Sequence, residues 1–124
     1  MPRTAVIAIV DDDHSVREAL ASLVRSLGYA AMAFDCAEAL LKSKRRGVSC
    51  LIADVQMPGM TGLDLCQQLS ASGERIPTIL ITAYPDDSVR ERALTAGVIG
   101  YLSKPFKEDD LLACIRSALT DAGG

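Results

Sequence analysis

Tryptophan is absent from this chain, and phenylalanine and tyrosine together supply only 4% of its residues. No apolar run approaches the roughly 18 residues that a membrane-spanning helix needs. Residues 1–4 also lack the long apolar region and the cleavage site of a signal peptide. These absences predict a cytoplasmic protein with no membrane partner.

Metal-binding motifs built from cysteine and histidine are missing as well. The cysteines are Cys36, Cys50, Cys66 and Cys114, and none of them forms a C-x-x-C pair. The single histidine, His14, is far from all of them in sequence. The spacing argues against a zinc site and predicts reduced thiols that pack as small apolar side chains.

The composition that remains is that of one folded domain. A length of 124 residues with 49% hydrophobic and 23% charged residues suits a single core. We expect one domain over residues 1–124, with a frayed tail at 120–124 and no second domain for output. The net charge of −3 gives no reason to expect nucleic-acid binding by this domain itself.

Five short apolar runs predict five strands. They are Ala5–Val10, Ala30–Phe34, Cys50–Asp54, Thr78–Thr82 and Val98–Leu102. Three of them are apolar at nearly every position, which is typical of strands covered on both faces of a parallel sheet. Helical spacing lies between the runs, so the pattern predicts an α/β fold, a doubly wound parallel sheet with helices on both faces.

Three segments match the capping box that satisfies free backbone amides at a helix start. They are Ser15-x-x-Glu18, Asp35-x-x-Glu38 and Thr61-x-x-Asp64. Asp13, just past the first predicted strand, is a further candidate cap.

Polar residues follow four of the predicted strands where each strand ends. They are Asp11, Asp12 and Asp13 after the first, Asp54 at the third, Thr82 at the fourth and Lys104 after the fifth. Because the carboxyl ends of parallel strands share one edge, we expect these side chains to form one site. Clustered carboxylates repel and raise each other's pKa, an arrangement that favours a bound hard cation such as Mg²⁺. Together these groups can move a phosphoryl group onto a carboxylate.

These residues and their surroundings carry a resemblance that extends over essentially the whole chain. The motifs are V-D-D-D at Val10–Asp13, D-V-Q-M-P-G-M-T-G-L at Asp54–Leu63, T-A at Thr82–Ala83 and Y-L-S-K-P-F at Tyr101–Phe106. In them the chain resembles the receiver domain of two-component response regulators. It is most similar to the nitrogen-fixation and nitrate (FixJ/NarL-like) group, whose output domain is a helix-turn-helix.

The resemblance implies a flavodoxin-like (CheY-like) three-layer sandwich with five strands and five helices. It also implies a signalling switch that is not an enzyme beyond its own phosphorylation and dephosphorylation. A histidine kinase would phosphorylate Asp54, and Thr82 and Lys104 would bind the phosphoryl oxygens. Mg²⁺, or Mn²⁺ in its place, would be ligated by Asp12, Asp54 and the backbone carbonyl of Gln56, with Asp11 acting through water. The signal would pass to a DNA-binding output domain, the only route to nucleic acid.

The segment from Pro85 to Gly97 is the least apolar of the helical stretches and is the expected switch element. Its inward candidates are Val89, Ala93, Leu94 and Ala96. If a phosphoryl group draws the Thr82 hydroxyl inward, the Tyr101 ring can fill the vacated space. The face formed by residues 85–103 would then support a two-fold dimer. The resemblance also implies a cis peptide bond between Lys104 and Pro105.

Two alternatives remain from the residues themselves. Asp11-x-Asp13-x-Ser15 also fits the D-x-D-x-[TS] signature of haloacid-dehalogenase-like phosphohydrolases, in which Asp11 would be the nucleophile. The short chain and the unexplained Asp54–Gly59 segment count against that reading. The other alternative is a stand-alone receiver used only for docking, which the intact Asp54, Thr82 and Lys104 argue against.

Overall fold

The computed structural model describes residues 5–44 and 47–123, in which strands and helices alternate. The strands are β1 (Val6–Val10), β2 (Ala30–Phe34), β3 (Val48–Asp54), β4 (Thr78–Thr82) and β5 (Gly100–Ser103). The helices are α1 (His14–Ser26), α2 (Ala37–Lys42), α3 (Gly62–Ala71), α4 (Asp87–Thr95) and α5 (Glu108–Gly123). Helix α5 continues through residues 120–123, where a frayed tail was expected, and residue 124 lies outside the described residues.

The strands form one parallel sheet in the order β2-β1-β3-β4-β5, as the alternation of strands and helices predicted. The chain leaves β1 toward β2 on one side and returns to β3 on the other, so strand order reverses between β1 and β3. Val10 pairs with Ala53 across this switch point. The register therefore brings the residues that follow, Asp11 and Asp54, to the same place on the sheet edge.

Alternate residues of the central strands point to opposite faces of the sheet and build two cores. One core joins the sheet to α1 and α5, and its buried members include Ile7, Ile9, Ile52, Ile79, Leu20, Val24, Leu111 and Ile115. The other joins the sheet to α2, α3 and α4 and includes Ala8, Leu51, Leu80, Leu40, Leu65 and Ala93. The result is the predicted three-layer sandwich, in which the central strands are covered on both faces.

Only one of the three predicted capping boxes forms. Thr61 accepts from the Asp64 amide while the Asp64 carboxylate accepts from the Thr61 amide. The Ser15–Glu18 prediction is wrong, because the Asp13 carboxylate lies closer to the strand end and accepts from the first free amides of α1. The Asp35–Glu38 prediction is also wrong. Helix α2 starts one residue later, after Cys36, which makes no side-chain cap hydrogen bond.

The inward face of α4 differs from the prediction at one position. Ala93 is fully buried, and Val89 and Ala96, four and three residues away, are partly buried on the same face. Leu94 follows Ala93 by one residue, a rotation of about 100° around the helix, and is 54% exposed. The prediction that Leu94 points inward is therefore wrong.

The cysteines behave as the sequence predicted. All four are free thiols, and Cys50 and Cys66 are buried. Burial raises the pKa of Cys50 to about 12, with a smaller contribution from Cys114, so its thiol stays neutral. In the described part of the chain, no helix combines the length and the apolar character needed to span a membrane.

The close contact between β5 and α5 yields a stability prediction. A Cβ atom at Gly100 would lie 2.8 Å from the Cys114 sulfur, so Gly100→Ala should destabilise the domain by about 1–3 kcal/mol through overpacking. Urea unfolding measures this loss.

The same substitution in a Cys114→Ala background should lower the free energy of unfolding by less, because the sulfur is gone. Cys66→Ala, which removes a buried thiol from the other core, serves as the control background and should give no rescue. If Gly100→Ala lowered the free energy of unfolding equally in the wild type, in Cys114→Ala and in Cys66→Ala, the contact with Cys114 would be contradicted.

Candidate functional site

Three carboxylates meet where strand order reverses. Oxygen atoms of Asp11, Asp12 and Asp54 all lie within 4.8 Å of one another. Asp11 is 1% exposed and Asp54 6% exposed, whereas Asp12 is open to solvent. The predicted cluster is therefore present, with two buried acids at its base and one exposed acid at its rim.

Backbone groups fix the orientation of the two buried acids. Asp11 Oδ1 accepts a hydrogen bond from the Asp13 amide at 2.9 Å, and Asp54 Oδ1 accepts one from the Gln56 amide at 3.1 Å. The Arg17 guanidinium donates to the backbone carbonyl of Asp11 at 2.8 Å. The Oδ1 atom of each carboxylate is thus held by the loop that follows its strand. The Oδ2 atoms remain available to other partners.

Lys104 lies against both Oδ2 atoms. Its Nζ is 3.1 Å from Asp54 Oδ2 and 3.4 Å from Asp11 Oδ2. The Lys104 amide donates to the Thr82 carbonyl at 2.7 Å, and the peptide bond to Pro105 is cis, as predicted. Burial lowers the pKa of Lys104, but the hydrogen bond to Asp54 and the charges of Asp11 and Asp54 outweigh it and raise the pKa overall. The ammonium group therefore stays charged between the two acids.

The pKa of Asp11 is raised, as the repulsion argument predicted, but the main cause is different. Burial of the carboxylate contributes most, and the neighbouring charge of Asp54 adds to it. The hydrogen bond from the Asp13 amide and the charge of Lys104 oppose the rise. The sequence indicates which acids meet but not how deeply Asp11 is buried. For this reason it predicts a pKa raised by repulsion and misses the larger effect of burial.

Thr82 lies at the edge of the same site and makes a contact that sequence reasoning missed. Its side chain is fully buried, and its hydroxyl donates to Gln56 Oε1 at 2.7 Å. The Tyr84 amide donates to the same hydroxyl oxygen at 2.9 Å. The contact depends on strand register: Asp54 pairs with Ile81 across the sheet, which brings Gln56 and Thr82, two and one residues further along the chain, to the same edge.

Tyr101 is not brought to the acid cluster. It is partly buried against the core on the α4 side of the sheet. Its hydroxyl accepts a long hydrogen bond, 3.5 Å, from the Asp86 amide at the start of α4. The ring therefore connects β5 to α4, at a distance from Asp54 along the sheet edge.

Helix α3 begins directly against the backbone of Asp54. A Cβ atom at Gly62 would collide with the Asp54 carbonyl oxygen, and the Gly62 amide donates to the Val55 carbonyl at 3.3 Å. Only glycine allows this approach without a shift of the chain.

The donor set fits a hard divalent cation. The acid cluster offers only oxygen atoms, and Mg²⁺ prefers oxygen ligands and is typically held by one or two carboxylates together with water or phosphate. Lys104 and Thr82 add a cation and a hydroxyl beside Asp54.

Comparison with known proteins agrees with this geometry. The sequence model of one protein family, the response regulator receiver domain, matches residues 7–116 of this chain. The chain belongs to this family. The receiver domain is 46% identical to the response regulator protein TodT of Pseudomonas putida over 118 residues, which are 94% of this chain and 52% of TodT. It is 35% identical to the transcriptional regulatory protein FixJ of Azorhizobium caulinodans over 123 residues, 96% of this chain and 57% of FixJ.

Solved structures give the same fold for the receiver domain. A structure of response regulator StyR superposes with a TM-score of 0.89 at 41% identity, covering 98% of this chain and 62% of that one. A crystal structure of FixJ-N gives a TM-score of 0.87 at 30% identity, covering 96% of both chains. The chain spans about half the length of the curated relatives it matches. The predicted family and its likeness to the nitrogen-fixation regulators are confirmed, and the phosphohydrolase alternative is not favoured.

The raised pKa of Asp11 predicts a pH dependence for the metal-free receiver domain. A folded pKa above the unfolded value of about 3.9 means that the protonated acid favours folding. This stability is present below about pH 4 and is lost as pH rises through the folded pKa. Asp11→Asn, which stays neutral, should therefore gain stability over the wild type as pH rises from 4 to 8.

Urea unfolding in EDTA measures this difference, with Asp109→Asn, an exposed acid of α5 outside the cluster, as the control. A gain for Asp11→Asn that does not change with pH would contradict the assignment.

Proposed function

We propose that Asp54 accepts a phosphoryl group from a phosphohistidine of a sensor histidine kinase, and that the domain works as a phosphorylation-dependent switch. In this transfer a bond forms between phosphorus and an Asp54 carboxylate oxygen while the bond between phosphorus and the imidazole nitrogen breaks. The observation that carries the proposal is the position of Lys104, 3.1 Å from Asp54 and 3.4 Å from Asp11. It supplies a positive charge where the charge of the phosphoryl oxygens would arrive.

The surrounding residues would each have one task. Asp12, Asp54 and the Gln56 carbonyl would ligate Mg²⁺, or Mn²⁺ in its place, and Asp11 would act through water. When bound, the cation offsets the negative charge of the incoming phosphoryl group. Lys104 would pair with one phosphoryl oxygen, and Thr82 would donate its hydroxyl hydrogen to another. The exposed position of Asp12 and the open rim of the cluster leave room for the donor.

This proposal predicts one phosphorylated residue. Incubation with acetyl phosphate and Mg²⁺ should add one phosphoryl group to the wild type and to Asp109→Asn, an exposed control in α5. Asp54→Asn should gain none, because the attacking carboxylate is replaced by an amide. EDTA should abolish the gain in all variants. Intact mass and peptide mapping make the measurement.

Equal labelling of wild type and Asp54→Asn would contradict the assignment. A label on Asp11 would restore the phosphohydrolase alternative.

We also propose that this domain passes its signal to a DNA-binding output domain that controls transcription. The relative FixJ is a transcriptional regulatory protein, and this chain covers 57% of its length. Any contact with nucleic acid would be made by the other part of such a protein, since the net charge here is −3.

A third proposal concerns self-association. We propose that phosphorylation exposes a dimer surface over residues 85–103. Helix α4 contributes one fully buried residue, Ala93, so it can shift at low cost. Leu94 on the same helix is 54% exposed and is the apolar side chain that we expect the dimer to bury. Tyr101 joins α4 to β5 through Asp86 and would move with them.

Dimerisation through this surface is testable by sedimentation. The wild type should be mainly monomeric alone and should dimerise with beryllofluoride and Mg²⁺. Leu94→Glu should weaken the dimer by about tenfold or more, because a buried unpaired charge at an interface is costly. Ala19→Glu, which adds the same charge to an exposed position of α1 on the opposite face of the sheet, should have no effect. Equal dimerisation of both variants would contradict the proposed surface.

A further inference from the structure

Gln56 contacts two functional groups through different atoms. Its backbone amide donates to Asp54 Oδ1 at 3.1 Å. Its side-chain oxygen accepts the Thr82 hydroxyl at 2.7 Å. One residue therefore connects the end of β3, which carries the acceptor acid, to the end of β4.

The hydrogen bonds of Thr82 leave its hydroxyl no spare hydrogen. A hydroxyl has one hydrogen to donate, and here it is donated to Gln56. The Tyr84 amide donates to the Thr82 oxygen, so it occupies an acceptor site and not the hydrogen. Thr82 is 0% exposed, so solvent offers no alternative partner. In this state Thr82 cannot also donate to a phosphoryl oxygen.

We infer that the Gln56 side chain is a positioning residue that restrains the Thr82 hydroxyl in the unphosphorylated state and so opposes activation. The inference rests on the proposed function of Asp54. For Thr82 to donate to a phosphoryl oxygen, its hydroxyl must first break the bond to Gln56. The resting state is thus stabilised by a bond that the phosphorylated state loses.

Removing the acceptor should act on the resting state alone. Without Gln56 Oε1, the buried hydroxyl of the resting state loses its partner, which is costly. In the phosphorylated state the phosphoryl oxygen still supplies one. The Gln56 side chain itself is exposed, so an apolar replacement of similar length creates no cavity in the core. Gln56→Met should therefore bind a phosphoryl mimic more tightly than the wild type.

The experiment is a titration with beryllofluoride at fixed Mg²⁺. The backbone amide resonance of residue 56 is the local reporter, because that amide donates to Asp54 Oδ1 and is present in every variant. We expect Gln56→Met to lower the Kd by about 3- to 10-fold, the effect of one net hydrogen bond. Gln68→Met, the same substitution at an exposed position of α3, should bind like the wild type.

A double-mutant comparison separates this role from a general effect on the site. In a Thr82→Ala background, Gln56→Met should leave the Kd unchanged, because the hydroxyl to be released is gone. A thermal melt of each variant confirms that it is folded. An unchanged or higher Kd in Gln56→Met would overturn the inference, as would equal tightening with and without the Thr82 hydroxyl. Both of these outcomes would leave the proposed function intact, provided that the wild type binds beryllofluoride and Asp54→Asn does not. No binding by the wild type would contradict both.

Discussion

The ammonium group of Lys104 lies between two buried carboxylates, and the geometry of the sheet edge depends on it. Asp11 and Asp54 come from strands that must be neighbours for the sheet to be doubly wound, so their charges cannot be separated. Lys104 follows β5, two strands away from β3, and reaches them across the end of β4. Its backbone is tied to Thr82 at that point. A single cation thus links the ends of three strands and offsets a repulsion that the fold itself creates.

The sequence predicts most of this architecture because its signals are local. Apolar runs define the strands, and the polar residues at their ends mark the site edge without any knowledge of packing. The wrong predictions concern positions that differ by less than one helical turn, namely which residue caps a helix and which residue points inward. Asp13 lies two residues before Ser15 and caps the helix by accepting from the Ser15 and Val16 amides, and Leu94 is one residue from the buried face. The contact between the Gln56 side chain and Thr82 is not predictable for another reason, because the two residues are 26 positions apart and meet only through strand register.

The described helices are not equally buried against the sheet. Helix α3 buries the apolar side chains of Leu63, Leu65, Cys66 and Leu69, and α2 buries those of Ala37 and Leu40. Helices α1 and α5 each bury three apolar residues completely or nearly so, namely Leu20, Ala21 and Val24, and Leu111, Ile115 and Ala118. Helix α4 buries one. Along the chain it begins at Asp87, five residues after Thr82, and the loop between them contains Tyr84. The hydrogen bond between the Thr82 hydroxyl and the Tyr84 amide thus lies at the start of the loop that leads into the described helix with the fewest buried residues.

The contact between Gly62 and the Asp54 carbonyl has a consequence for substituting or grafting this site. Gly62 carries no functional group, and it lies eight positions after the acid, so a transplant of the visible side chains alone would omit it. Any larger residue there would push on the Asp54 carbonyl and displace the carboxylate relative to Lys104. The tolerance of Asp54 to change is thus set partly by a residue that has no side chain, and the two positions should be varied together.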